Sequence, residues 1–141
     1  MGELSESSAS LRVFGDDLIP DEVSALLGSE PTASDVKGQP MHTAYPRAQV
    51  ILSKHESWRL SCKRRRPGNL DSQIQDILKG LTTNLRVWHE LAEKYKVDMF
   101  CGLWLETFNE GISLSTETLK SLSERHIFID FDIYHVGDEE E

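Results

Sequence analysis

Apolar residues recur at Ile74, Leu78, Leu81, Leu85, Trp88, Ala92 and Tyr95, a four-and-three spacing that keeps a single stripe on one side of a helix for about twenty residues. Such a stripe has to be buried against something, and the flanking segments say what that is. Trp58, Leu60 and Cys62, then Cys101, Leu103 and Leu105, then Ile127, Ile129, Phe131 and Ile133 each repeat with a period of two, the mark of strands with one apolar face. A helical stretch set between strands of this kind requires a layer of helix packed on a sheet.

The stripe is interrupted at Gly80 and at Thr82-Thr83-Asn84, so the stretch is either one kinked helix or two consecutive ones, with Asn69 or Asp71 capping the start and Asn84 near a second start. Upstream, Leu11-Arg12-Val13-Phe14 reads as a strand closed by Gly15. A helix follows, with Pro20 at its first position, Asp21 and Glu22 at the positive end of its dipole, Val23, Leu26 and Leu27 as its stripe and Gly28 as its terminator. Residues 29–47 are rich in Pro, Gly, Ser and Thr and read as an irregular connection. Gln49-Val50-Ile51-Leu52 and Ser57–Cys62 then form an expected hairpin. Phe100 to Thr107 contains a strand followed by a turn at Asn109-Glu110-Gly111. Ser115 caps a last helix with Leu119 and Leu122 inward, before a final strand whose second face carries Phe128, Asp130, Asp132 and Tyr134.

This order predicts an α+β fold: a mostly antiparallel sheet of about five strands with helices on one face, ferredoxin-like in character. A short echo between Ile19-Pro20-Asp21-Glu22 and Leu114-Ser115-Thr116-Glu117, each after a strand, suggests two β-α-β units in one sheet. At 141 residues, with 38% hydrophobic and 28% charged residues, the chain suits one globular domain. Residues 11–136 are expected to form it, with a disordered tail at 1–10 and an acidic one at 137–141.

Together these signals resemble the bacterial family called domain of unknown function 4279. The residues that carry the resemblance are Phe14-Gly15-Asp16, Leu18-Ile19-Pro20-Asp21-Glu22-Val23, Leu26-Leu27-Gly28, Pro31-Thr32, Lys37-Gly38, Trp58-Arg59-Leu60-Ser61, Leu70-Asp71, Leu114-Ser115 and Asp130-Phe131-Asp132-Ile133-Tyr134. The resemblance implies a shared α+β fold in small bacterial proteins and brings no activity, cofactor or catalytic residue with it.

The net charge of −9 disfavours nucleic acid and anionic membrane surfaces and favours a basic protein partner. The polar, acidic first residues have no signal-peptide pattern and no run reaches membrane-spanning length, so a cytoplasmic location is expected. Cys62 and Cys101 lie in strand-like runs without metal-ligand spacing and read as buried thiols, a disulfide between them being the alternative. The five histidines show no zinc spacing, and no phosphate-binding or nucleophile-elbow motif is present, so neither a metal nor another cofactor is implied.

Two groups of candidate binding residues remain. Asp130, Asp132 and Tyr134 share one strand face, and Trp104 alternates away from Cys101, Leu103 and Leu105 onto a second, partly exposed face with Phe100. Lys63-Arg64-Arg65-Arg66 is a basic run that suits phosphate or an acidic protein, or else is a solvated loop. The expected role is a non-catalytic protein-interaction domain, in one form an immunity-like inhibitor that masks a basic toxin. The alternative is a small enzyme or ligand-binding module built on Asp130, Asp132 and Tyr134.

Overall fold

The computed structural model describes residues 2–36, 38 and 56–136. Strand β2 (Glu6–Gly15) lies at the middle of a five-stranded sheet, with β4 (Glu56–Ser61) antiparallel on one side and β5 (Lys96–Leu105) antiparallel on the other. Beyond β4 runs β3 (Ala33–Asp35), also antiparallel. Beyond β5 runs β7 (Phe128–His135), which is parallel to it. A separate two-stranded parallel pair joins β1 (Gly2–Glu3) to β6 (Glu110–Gly111). The α+β class and the five-stranded sheet are as expected, and the sheet is mixed because of its one parallel pairing.

Among the described residues four helices pack on one face: α1 (Pro20–Leu27), α2 (Leu70–Lys79), α3 (Leu85–Lys94) and α4 (Thr116–Glu124). The interrupted stripe resolves into two helices. The Asn69 side chain accepts the Ser72 N–H at the start of α2, and that of Asn84 accepts the Arg86 N–H at the start of α3. Gly28 ends α1 with φ of 85°, a left-handed conformation that glycine adopts without a Cβ penalty. Between helices and sheet lie Leu11, Val13, Trp58, Ile74, Trp88, Leu91, Val97 and Met99, all buried. Each large apolar side chain buried in this way contributes about 1.5–3 kcal/mol.

The chain departs from expectation at its beginning. Glu6–Ser10, read as part of a tail, forms the first half of the central strand, and Leu4 is buried. The alternation was hidden because the inward positions are small, Ser7 and Ala9. Ser7 is satisfied in the core: its hydroxyl donates to Gln73 Oε1 and accepts the Asn69 N–H at 2.9 Å, while Gln73 Nε2 donates to the Ser7 and Lys63 carbonyls. Likewise β5 starts at Lys96, before the expected Phe100, and β3 lies inside the stretch read as irregular.

Both echoed units are β-α-β units: α4 carries the chain from β5 to the adjacent, parallel β7, and α1 carries it from β2 to β3, which runs parallel to β2 with β4 between them. Leu26 and Leu119, expected inward, are exposed, and Ser24 and Thr118 are buried in the same turns. The expected strand Gln49-Val50-Ile51-Leu52 lies outside the described residues.

Candidate functional site

The face of the sheet opposite the helices is built from alternate residues of the same strands: Glu6, Ser8, Ser10, Arg12 and Phe14 on β2, and Lys96, Asp98, Phe100, Gly102 and Trp104 on β5. On β7 it carries Phe128, Asp130, Asp132 and Tyr134. At its centre Arg12 makes a two-pronged contact with Asp98, Nε to Oδ1 at 2.8 Å and Nη2 to Oδ2 at 2.6 Å. The same guanidinium stacks on Phe100, 4.3 Å from the ring centroid, and lies 5.2 Å from that of Phe14. These contacts leave Asp98 fully buried on a face that none of the described helices covers.

Asp130 stands beside this pair. Burial alone would push the Asp98 carboxyl up, but hydrogen bonds from Arg12 and Asp130 outweigh it and hold Asp98 below the usual carboxylate range. The shared hydrogen bond with Asp98, and then desolvation, push Asp130 the opposite way. The two carboxyls are thus pushed apart, Asp98 toward its charged form and Asp130 away from it.

Toward the other end of the face Trp104 and Tyr134 stack, with centroids 5.4 Å apart and planes 15° from parallel. Trp104 lies over Gly102, where a Cβ would stand 2.6 Å from its Cη2, so the flat placement of the indole depends on that glycine. Arg64 covers the ring at 3.8 Å from its centroid and pairs with Glu6. The Tyr134 hydroxyl donates to Asp132.

The structure thus brings Arg64 together with Trp104, Asp132 and Tyr134, although they were separate candidates in the sequence. It does not gather the rest of the basic run there. Arg66 bridges Glu6 and Glu106, Arg65 donates to Ser72, and the Arg65 backbone forms a reciprocal bridge with Ser7. The run stays on the exposed surface, with its arginines paired to groups of β2, α2 and the segment after β5. Arg12, Asp98, Phe14 and Glu6 were not foreseen as site residues. Alternation along Lys96-Val97-Asp98-Met99-Phe100 carried the signal for Asp98.

A second polar cluster closes the N-terminal end. Partial burial would push the Glu110 carboxyl up, yet the Ser5 hydroxyl and the Ser5, Glu106 and Thr107 N–H groups all donate to it and hold it down to about 2. Cys62 and Cys101 are both free, Cys62 only partly buried. Burial pushes the Cys101 thiol up to about 12, so it stays protonated and is a poor nucleophile. His89 and His126 stack at 3.9 Å. Among the described residues no three His, Cys, Asp or Glu side chains are grouped to hold a metal ion.

Concave surface occurs elsewhere: a shallow depression is lined by Phe14, Asp16, Glu93 and Tyr95, and a cleft between α1 and α3 by Ile19, Val23, Leu26 and Leu91. Residues 5–136 match the family model described as "Domain of unknown function (DUF4279)". No curated protein and no solved structure matches the chain.

Proposed function

The chain belongs to the DUF4279 family, whose description assigns no activity, and from that premise we propose that it is a non-catalytic protein-interaction domain that binds a basic protein. The observation that carries this reading is the exposed margin at β7. On its helix side Phe131 is 47% and Ile133 63% exposed, with Phe108, 96% exposed, stacked on His135, and on its other side Phe128 is 64% exposed. Large apolar side chains left on the surface are characteristic of a protein-binding surface.

Charge gives the sign of the partner. The arginines of the sheet face are matched internally, Arg12 by Asp98, Arg59 by Asp35, Arg64 by Glu6 and Arg66 by Glu6 and Glu106. At the β7 margin Asp132 accepts the Tyr134 hydroxyl and makes no salt bridge among the described residues. With a net charge of −9, long-range attraction speeds encounter with a basic partner. This reading takes the setting to be a bacterial cytoplasm, where Cys62 and Cys101 stay reduced. Among the described residues no helix is long and apolar enough to cross a membrane.

A small-ligand or catalytic site at Asp130 is the second reading, favoured by the way its neighbour Asp98 and then desolvation push its carboxyl up. Against it, Asp98 is committed to Arg12 and the Tyr134 hydroxyl to Asp132. The test is capture from a lysate on the immobilised chain and on a Phe128→Ala, Asp132→Lys variant, at low and moderate salt, with mass spectrometry of what is retained. The reading expects a stoichiometric basic protein held by the parent at low salt and lost on the variant. Equal retention by both chains overturns it, as does retention of the bait alone.

A further inference from the structure

We infer that the partner presents an extended segment that joins the sheet as a new strand along β7, with basic and apolar residues alternating in it; this rests on the interaction reading above. The backbone defines the opening. The Val136 N–H donates to the Leu105 carbonyl at 2.7 Å, with Leu105 opposite His135 in a parallel ladder. In such a ladder alternate residues of a strand bond to the same neighbour. Phe128, Asp130, Asp132 and Tyr134 therefore turn their backbone groups toward β5, and Ile129, Phe131, Ile133 and His135 turn theirs outward. Those outward groups have no partner among the described residues. An edge of this kind is a template for strand addition.

The side chains set the chemistry of what can join. On the helix side Phe131 and Ile133 run beyond the cover of α4, which packs Leu122 and Ile127 into the core, so apolar residues of an added strand would cover them. On the other side the added strand meets Asp130 and Asp132, which favours lysine or arginine directly opposite. The same aspartates oppose a second copy of this chain. Antiparallel pairing of two β7 strands about a two-fold axis keeps the faces, and in the registers centred on Phe131 or Asp132 it places Asp130 against Asp132 of the other copy or Asp132 against itself. Like charges directly opposite destabilise a strand pair, so the edge is guarded against itself and open to a basic segment.

The direct test uses capped eight-residue peptides and backbone amide exchange on the full chain. A peptide alternating lysine and valine should slow exchange of the Ile129, Phe131, Ile133 and His135 amides by at least about tenfold at saturation, a one-decade shift in the opening equilibrium. A glutamate–valine peptide should leave them unchanged. Two N-methylated forms of the first peptide give the geometry without altering the protein. Methyls on the valine nitrogens block antiparallel addition and methyls on the lysine nitrogens block parallel addition, so one form should lose at least about tenfold in affinity and the other keep it. Equal binding by the acidic peptide, no slowing of those four amides, or indifference to both methylations overturns strand addition. If the protein captured from lysate slows exchange on the Trp104 and Phe100 face while the four edge amides exchange freely, the interaction reading stands and strand addition falls.

Discussion

On one face of the sheet Leu11, Val13, Trp58, Met99 and Cys101 are closed off by the four described helices, while on the other the intervening residues of the same strands carry Arg12 on Asp98 and Arg64 on Trp104 with none of those helices above them. The first face is held by non-directional burial and the second by directed contacts, charge on charge and ring on ring. The difference teaches that exposure and order are separate properties here: Asp98 is as inaccessible as Trp58 because Arg12, Phe100 and Asp130 enclose it. At β7 both arrangements run out together. Its helix side outruns α4, and its open side ends in Asp132 and Tyr134.

Truncation in the helix-covered layer should break the comparison most strongly. Trp58→Ala removes a fully buried ring and the 2.9 Å hydrogen bond from its indole N–H to Ser24 Oγ, and should cost about 3–5 kcal/mol in denaturant unfolding. A loss under about 1 kcal/mol would mean that the layer repacks. Arg12→Leu comes next, at about 3 kcal/mol, because it leaves the Asp98 carboxylate buried without its cation. Adding Asp98→Leu should recover most of that loss, which distinguishes a stranded charge from lost packing. The Asp98 carboxyl is held low, so its stabilisation is present above the ordinary carboxyl range and fades as pH falls through the depressed value; the gap between parent and Arg12→Leu should close in acid. Asp130, held high, runs oppositely, favouring the fold below the ordinary range and losing that contribution as pH rises through its raised value. The smallest effect is expected at the margin. Ile133→Thr should stay within about 0.5 kcal/mol of the parent, and a loss above about 2 kcal/mol would show that β7 is a covered strand.

Much of this was legible in the residues. Pro20, Gly28, Asn69, Asn84 and Ser115 marked helix ends because capping depends on neighbours a few positions away. Alternation placed Trp104, Asp130, Asp132 and Tyr134 on the open face for the same reason. What alternation cannot report is cover: Ile127 and Ile133 sit in one apolar register, yet only Ile127 lies beneath the helical layer. Nor can it show partners far along the chain. Ser7 looked like tail because Gln73 and Asn69, which make it a core residue, come much later, and Arg12 looked like an ordinary strand residue until β5 brought Asp98 opposite. The parallel sense of β7 follows from its crossover and not from its composition.

The pairing at the middle of the sheet also governs when the molecule can exist at all. Strand β2 is made well before β5, yet its ladder with that strand joins Glu6 to Trp104 and Phe14 to Lys96. Leu11 and Val13 can pair first with Leu60 and Trp58 of β4, and complete their second ladder only once β5 has left the ribosome. A domain whose central strand waits for a distant neighbour assembles late and slowly, because loop closure precedes every contact that would reward it. The polar Glu6-Ser7-Ser8 beginning of that strand, costly to recognition in the sequence, helps keep it soluble through that interval.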